Sequence, residues 1–266
     1  MKVYAIKNDN FSEVPAYLIY SKAGDKFYIE LSENTDPWKT PLMLSTFAER
    51  GITTIDPYHS KMWVRQRIIP TDRQNLGQIL RDNGMRAYNE YELLLLGHGR
   101  CAQDDYYIEQ IGSEDIPEGI RSRMTRRLRG AIQLGNGEYL VYFYDDSIKK
   151  YSAKAYTEDK KAANLFKIHP TETDNGRTLP EGYGLSWGED ICILYPDIYK
   201  DGIDMPLTYP ELLNIMQNGL VNASQASEML GCTRQYINEL VKKGKLVPIR
   251  SSGKNTMFLK SDLFRI

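Results

Sequence analysis

The stretch Val221–Leu240, VNASQASEMLGCTRQYINEL, decides how the end of this 266-residue chain is read. Ala226, Met229 and Leu230 recur at helical spacing, and Gly231 sits where a turn needs it. Thr233 stands where a hydroxyl caps a second helix, whose Ile237, Leu240 and Val241 return an apolar face. The pattern predicts two short helices, tightly joined, with their apolar faces turned inward. Arg234, Gln235, Asn238 and Lys242 remain outward on the second helix, and these side-chain types read base edges and phosphates in a major groove. Lys243-Gly244-Lys245 ends that helix. Leu246 to Arg250, Ser251 to Asn255 and Thr256 to Leu259 then predict a hairpin with a basic, glycine-bearing tip, and Lys260 to Phe264 a last turn that packs Leu263 and Phe264 on the helices.

Charge supports a distinct role for this segment. The whole chain has a formal net charge of −1, so global basicity supplies no affinity for nucleic acid. From Val221 to Ile266, however, Arg234, Lys242, Lys243, Lys245, Arg250, Lys254, Lys260 and Arg265 outnumber Glu228, Glu239 and Asp262, an excess of five positive charges. The carboxyl-terminal segment is the basic part.

Upstream, alternating runs at Val3 to Ile6, Tyr17 to Tyr20 and Lys26 to Leu31 predict antiparallel strands. Thr71 and Asp72 offer caps for a helix burying Leu76, Ile79 and Leu80, which Asn83-Gly84 stops; a second helix runs from about Tyr88 to Leu96 and ends at Gly97. Arg121, Arg123, Arg126, Arg127 and Arg129 follow, spread around a solvated linker or helix. Beyond Gly130 the pattern turns to strands: Ala131 to Leu134, Glu138 to Tyr144 after a Gly135-Asn136-Gly137 turn, Ser147 to Ser152, then Gly184 to Trp187 and Ile191 to Leu194. A short helix is expected near Lys160 to Phe166 and another over Glu211 to Gln217, after Pro206 and Pro210.

The expected fold class is therefore α+β and multidomain, two small α+β domains followed by a winged helix-turn-helix. The boundaries fall at 1–111, an Arg-rich linker or helix over 112–130, a small α+β domain over 131–205, and the basic domain over 206–266.

Three resemblances extend this reading. The segment VNASQASEMLGCTRQYINELVKKGKLVPI with its closing hairpin resembles the MerR-like and excisionase-like winged helix-turn-helix family over about 46 residues. The resemblance places Thr233, Arg234, Gln235, Tyr236 and Asn238 on a recognition helix and Arg250 and Lys254 on a wing; Ser224, Lys242, Lys243 and Lys245 join them as expected DNA-binding residues. The block from about Gly130 to Gly202, with NGEYLVYFYDDSIKKYSA, NLFKIHP and GYGLSWGEDICILYPDIY, resembles domain-of-unknown-function family 2442, whose members often accompany toxin-antitoxin genes. Residues 1–111, with FYIELSENTDPWKTPLMLSTF and RQRIIPTDRQNLGQILRDNGMRAYNEYELLLLGHGRCAQDD, resemble the small domain preceding the catalytic core of HipA-type toxin kinases. No room remains for that core, so the likeness implies a detached docking domain.

No HExxH, GxSxG or Walker motif occurs, and Gly97-His98-Gly99-Arg100 lacks the Lys-Ser/Thr of a phosphate loop and reads as a helix-ending turn. With only His59, His98 and His169, no catalytic residue, metal ligand or cofactor is expected. His169 reads as a turn or surface histidine, and Trp187 as a core residue. Cys101, Cys192 and Cys232 form no CxxC pair and read as reduced thiols. MKVYAIKNDNFSEV has no apolar signal core and Leu93 to Leu96 is too short to span a bilayer, so a cytoplasmic protein without membrane association is expected. The function these features imply is a transcriptional regulator of antitoxin type, binding double-stranded DNA at its carboxyl-terminal end and a HipA-type kinase at its amino-terminal end. The reading allows a homodimer, and its rival is an excisionase-like architectural factor that bends DNA.

Overall fold

Three short runs of apolar and polar residues build the centre of the amino-terminal part. Strands β1 (Lys2–Asn8), β2 (Ala16–Ser21) and β3 (Lys26–Leu31) pair antiparallel, with Val3 opposite Ile19 and Ile19 opposite Tyr28. β4 (Thr54–Ile55) joins β3 and β5 (Tyr106–Ile111) joins β1, so the sheet order is β4-β3-β2-β1-β5. The computed structural model describes residues 1–156, 170–188, 191–251 and 255–263. Sheets and helices are mixed along it, so the chain is α+β.

Successive strand residues point to opposite faces, and here both faces are covered. Tyr4, Ile6, Leu18, Phe27 and Ile29 face one cluster, closed by Leu44 of α1 (Leu42–Glu49), Trp63 and Val64 of α2 (Pro57–Arg65) and Leu94 of α4 (Glu90–Leu96). Val3, Ala5, Tyr17, Ile19 and Tyr28 face the other cluster, with Ile120 and Met124 of α5 (Glu118–Met124), Val141 and Phe143 of β7 (Glu138–Phe143), and Tyr183, Ile193 and Ile198 further on. The Tyr28 ring stacks on Tyr183 at 3.8 Å between centroids. Each buried Val, Leu, Ile, Phe or Met among them contributes roughly 1.5–3 kcal/mol relative to exposure, and the second cluster draws on both halves of residues 1–203.

The expected division between 1–111 and 131–205 therefore does not separate two cores. The chain forms two compact units, one of residues 1–145 and 149–203, the other of 146–148 and 204–266. The Arg-rich segment is also more than a solvated connection. α5 turns Ile120 and Met124 into the core, and the Arg123 guanidinium donates to Glu30 Oε2 from Nη2 at 3.0 Å and to the Leu31 carbonyl at 2.7 Å.

The expected helix after Pro70 is α3 (Leu76–Asp82), with Asn75 at its cap position in place of Thr71 or Asp72, and Leu76, Ile79 and Leu80 are only half-buried. Residues 71–75 are all exposed, so nothing holds a helix start there. Gly84 ends α3 at φ +68°, and Asn89 Oδ1 caps α4 by accepting from Glu92 N–H at 2.9 Å. In the second half, β6 (Leu128–Gly135) and β7 form the expected hairpin around Asn136 and Gly137, whose φ values of +56° and +76° suit a two-residue turn of the type that matches strand twist. β8 (Ile148–Ser152) lies beside β7; β9 (Arg177–Thr178), β10 (Gly184–Trp187) and β11 (Ile191–Leu194) form a further antiparallel sheet, followed by α6 (Tyr195–Asp201). Trp187 is buried, as a core residue should be. The expected helix over 160–166 and His169 lie outside the described residues.

The chain reaches its second unit at β12 (Ile203–Asp204). α7 (Tyr209–Gly219) opens with a capping box: the Thr208 N–H and hydroxyl donate to Glu211 Oε2 at 2.7 and 2.8 Å, and these bonds hold the Glu211 carboxyl below its usual range. β13 (Leu220–Asn222), α8 (Ala223–Met229), α9 (Arg234–Lys242), β14 (Met257–Leu259) and α10 (Lys260–Leu263) follow. Their core is Val221, Ala226, Ile237, Leu240, Leu246, Phe258 and Leu263. No helix among the described residues is long and apolar enough to cross a membrane.

Candidate nucleic-acid interface

Local chemistry positions α8 and α9. Asn222 caps α8, its Oδ1 accepting from the N–H groups of Ser224 and Gln225 at 2.9 Å, while Gln225 Oε1 accepts from Asn222 N–H at 2.9 Å. The turn that follows needs Gly231, whose φ is +62°. Thr233 then caps α9, its hydroxyl oxygen accepting from Tyr236 N–H at 3.3 Å. These bonds satisfy donors that a helix start leaves without intrahelical partners.

The period of α9 sorts its side chains. Ile237 is 0% exposed and Leu240 2%, and both pack on Ala226 and Leu246 in one cluster. Arg234, Asn238 and Lys242 recur every four residues on the opposite side, with Gln235 beside them, and all four are exposed. Tyr236 and Thr233 are exposed as well. The structure thus brings Arg234, Gln235, Asn238 and Lys242 onto one helix surface. Ser224 sits apart from them in the first turn of α8 and is half-buried, and Met229, expected in the α8 apolar face, is exposed.

The expected hairpin takes a different form. β14 pairs with β13, Val221 opposite Phe258, and the run from Leu246 to Arg250 meets it only at its end, where Ile249 N–H donates to Met257 O at 2.9 Å and Met257 N–H to Arg250 O at 2.9 Å. The reason lies in the core: Leu246 and Phe258 are buried together against α9, while Val247 and Ile249 stay exposed and gain nothing from a longer ladder. Leu220–Asn222 follows the Asn218-Gly219 stop but is only three residues long, too short for alternation to mark it as the partner strand. Lys254 lies outside the described residues.

Lys243 Nζ is 3.6 Å from Glu239 Oε2, so part of its charge is offset on the same helix. Arg234, Lys242, Lys245 and Arg250 are exposed and make no ion pair among the described residues. Four cations on α9, on the turn after it and at the strand bridge therefore present unneutralised positive charge to solvent. Such a surface can hold phosphates, and the amide and guanidinium groups on α9 can read base edges. No group of three or more His, Cys, Asp or Glu residues among the described residues is arranged to hold a metal ion. No family model, curated protein or solved structure matches the chain.

Proposed function

We propose that the chain is a DNA-binding regulator, in which α8 and α9 act as a winged helix-turn-helix, α9 enters the major groove, and the Arg250–Met257 bridge roots a wing. The observation that carries this reading is the division of α9 into a buried side, Ile237 and Leu240, and an exposed side of Arg234, Gln235, Asn238 and Lys242. Any surface helix turns polar residues outward; what favours a polyanion here is that Arg234, Lys242, Lys245 and Arg250 are exposed around that row with no ion pair among the described residues.

The experiment is a titration of the full chain with duplex from its own promoter region, followed by fluorescence anisotropy at several salt concentrations. If Arg234, Lys242, Lys245 and Arg250 each neutralise one phosphate, log Kd changes with log salt with a slope of about 3.6, and affinity falls about 150-fold between roughly 50 and 200 mM salt. Binding that is indifferent to salt, or absent from every such duplex, overturns the reading.

The same proposal gives the first unit the task of holding a protein partner, a HipA-type kinase, so that partner concentration tunes operator occupancy by linkage. The support is the sequence resemblance of residues 1–111. Purification of the chain from its native cell tests it: a kinase-like protein at comparable abundance supports the antitoxin reading, and recovery of the chain alone removes it.

A further inference from the structure

A cavity of about 560 Å³ opens in the first unit, within the 300–1,000 Å³ range typical of small-molecule sites. Lys26 of β3, residues of the run through α1, β4 and α2, and residues after β8 such as Tyr156, Leu179 and Asp197 line it, so residues more than a hundred positions apart close it. Its lining holds two carboxylates and two cations that differ in how they are engaged. Two carboxylates line it and both are engaged within the protein: Asp56 Oδ2 lies 2.6 Å from His59 Nδ1 while its Oδ1 accepts His59 N–H at 2.9 Å, and Asp197 Oδ2 accepts the Tyr156 hydroxyl at 3.3 Å. Two cations, Lys26 and Arg50, also line it and have no ion pair or side-chain hydrogen bond among the described residues. Lys26 and Arg50 are thus the charged groups of the wall that no protein group engages among the described residues, while the Tyr156 hydroxyl fixes the Asp197 carboxylate without removing its charge. Beside it, Phe47, Ile52, Tyr58, Leu194 and Pro196 offer apolar surface, with the Tyr58 ring held edge-on to His59 at 5.2 Å.

We propose that this cavity binds a small organic anion, its charged group held by Lys26 and Arg50 and its apolar or ring-bearing body lying on Phe47, Ile52 and Tyr58. The site belongs to the first unit alone, and the inference stands whether or not the second unit binds DNA. Neither cation supports the core: Arg50 is exposed beyond the end of α1 and Lys26 is the first residue of β3, so both can be replaced without opening a cavity.

The probe is 8-anilinonaphthalene-1-sulfonate, a ring-bearing anion, titrated into the full chain and followed by its fluorescence. Saturable binding is expected, weakened at least about tenfold in the Lys26→Ala/Arg50→Ala double variant, whose circular dichroism should match the parent, and largely retained in Arg50→Lys. Cys192 also lines the cavity, whereas Cys101 and Cys232 do not. Bound dye should therefore slow alkylation of Cys192 by iodoacetamide and leave the other two thiols unchanged, as read by peptide mass spectrometry. Displacement by adenosine monophosphate but not adenosine assigns a phosphate group, and displacement by benzoate assigns a carboxylate. Absence of saturable binding, equal affinity in the double variant, protection shared by all three cysteines, or displacement by adenosine as readily as by its monophosphate overturns the proposal.

Discussion

Glu30 is 0% exposed, and replacing its partner Arg123 by Met tests what the first unit asks of that pair. Glu30 Oε2 accepts from Arg123 Nε and Nη2 at 3.2 and 3.0 Å and from the Thr54 hydroxyl at 3.0 Å, and Oε1 accepts from the Tyr195 hydroxyl at 3.1 Å. Burial pushes the Glu30 carboxyl above the usual carboxylate range, against the pull of the Arg123 guanidinium. Arg123→Met leaves a buried carboxylate with two hydroxyl donors and no guanidinium. Breaking a buried pair in this way costs about 3–5 kcal/mol, a large part of the ~5–15 kcal/mol that a domain has in total. A group whose folded pKa is raised binds its proton more tightly when folded, so the stability it contributes is present at low pH and lost as pH rises through the folded value. Removing Arg123 moves that loss to higher pH. Urea unfolding followed by tryptophan fluorescence should show the larger penalty near pH 7.5 and a smaller one near pH 5.5. Adding Glu30→Gln to Arg123→Met should recover at least about 1 kcal/mol near pH 7.5, because the neutral amide is cheaper to bury. A loss below about 1 kcal/mol, a penalty equal at both pH values, or no recovery by Glu30→Gln would refute this account of the pair.

Three further outcomes are expected. Thr233→Ala removes the cap of α9 and should lower the stability of the second unit by about 1 kcal/mol in thermal unfolding, with Thr233→Ser restoring most of it. Arg234→Ala and Asn238→Ala should each cost about 1–3 kcal/mol on a preferred duplex and little on random DNA, whereas Lys245→Ala should weaken both alike and lower the salt slope by about 0.9. In competition binding, three equal effects would displace α9 from the reading role. Gly182 holds φ +76°, and a Cβ there would meet the Leu128 carbonyl oxygen, so Gly182→Ala should cost more than about 4 kcal/mol and reduce the yield of folded chain.

Local chemistry made much of the second unit legible in advance. The Gly231 turn, the Thr233 cap and the return of Ile237 and Leu240 at helical spacing are each decided by residues within one or two turns of one another, so the pattern carries them directly. The same holds for the Asn136-Gly137 turn and for the Asn83-Gly84 stop, where positive φ selects the residue. The hairpin expected from Leu246 to Leu259 shows where such reading ends. Its residues alternate as strands should, but β14 pairs along its length with Leu220–Asn222 and meets the 246–250 run only at the Arg250–Met257 bridge, because exposed Val247 and Ile249 bury nothing by a longer ladder.

The larger departure lies in the first unit. Val3 to Ile6 and Tyr17 to Tyr20 are unbroken apolar runs, as strands covered on both faces require, and the sequence by itself determined that much, together with strand order along the hairpins. Which segments cover the second face is settled by residues a hundred or more positions away, and only the tertiary structure decided it. α5, β7 and the residues after Tyr183 cover Val3, Tyr17, Ile19 and Tyr28, so two expected domains share one core; the same packing buries Glu30 beside Arg123 and Tyr195 and leaves Lys26 and Arg50 lining a cavity opposite Cys192 and Leu194. The physical reason is that caps, turns and periodicity act through a few neighbouring bonds, whereas burial is set by whatever distant surface removes water from a face.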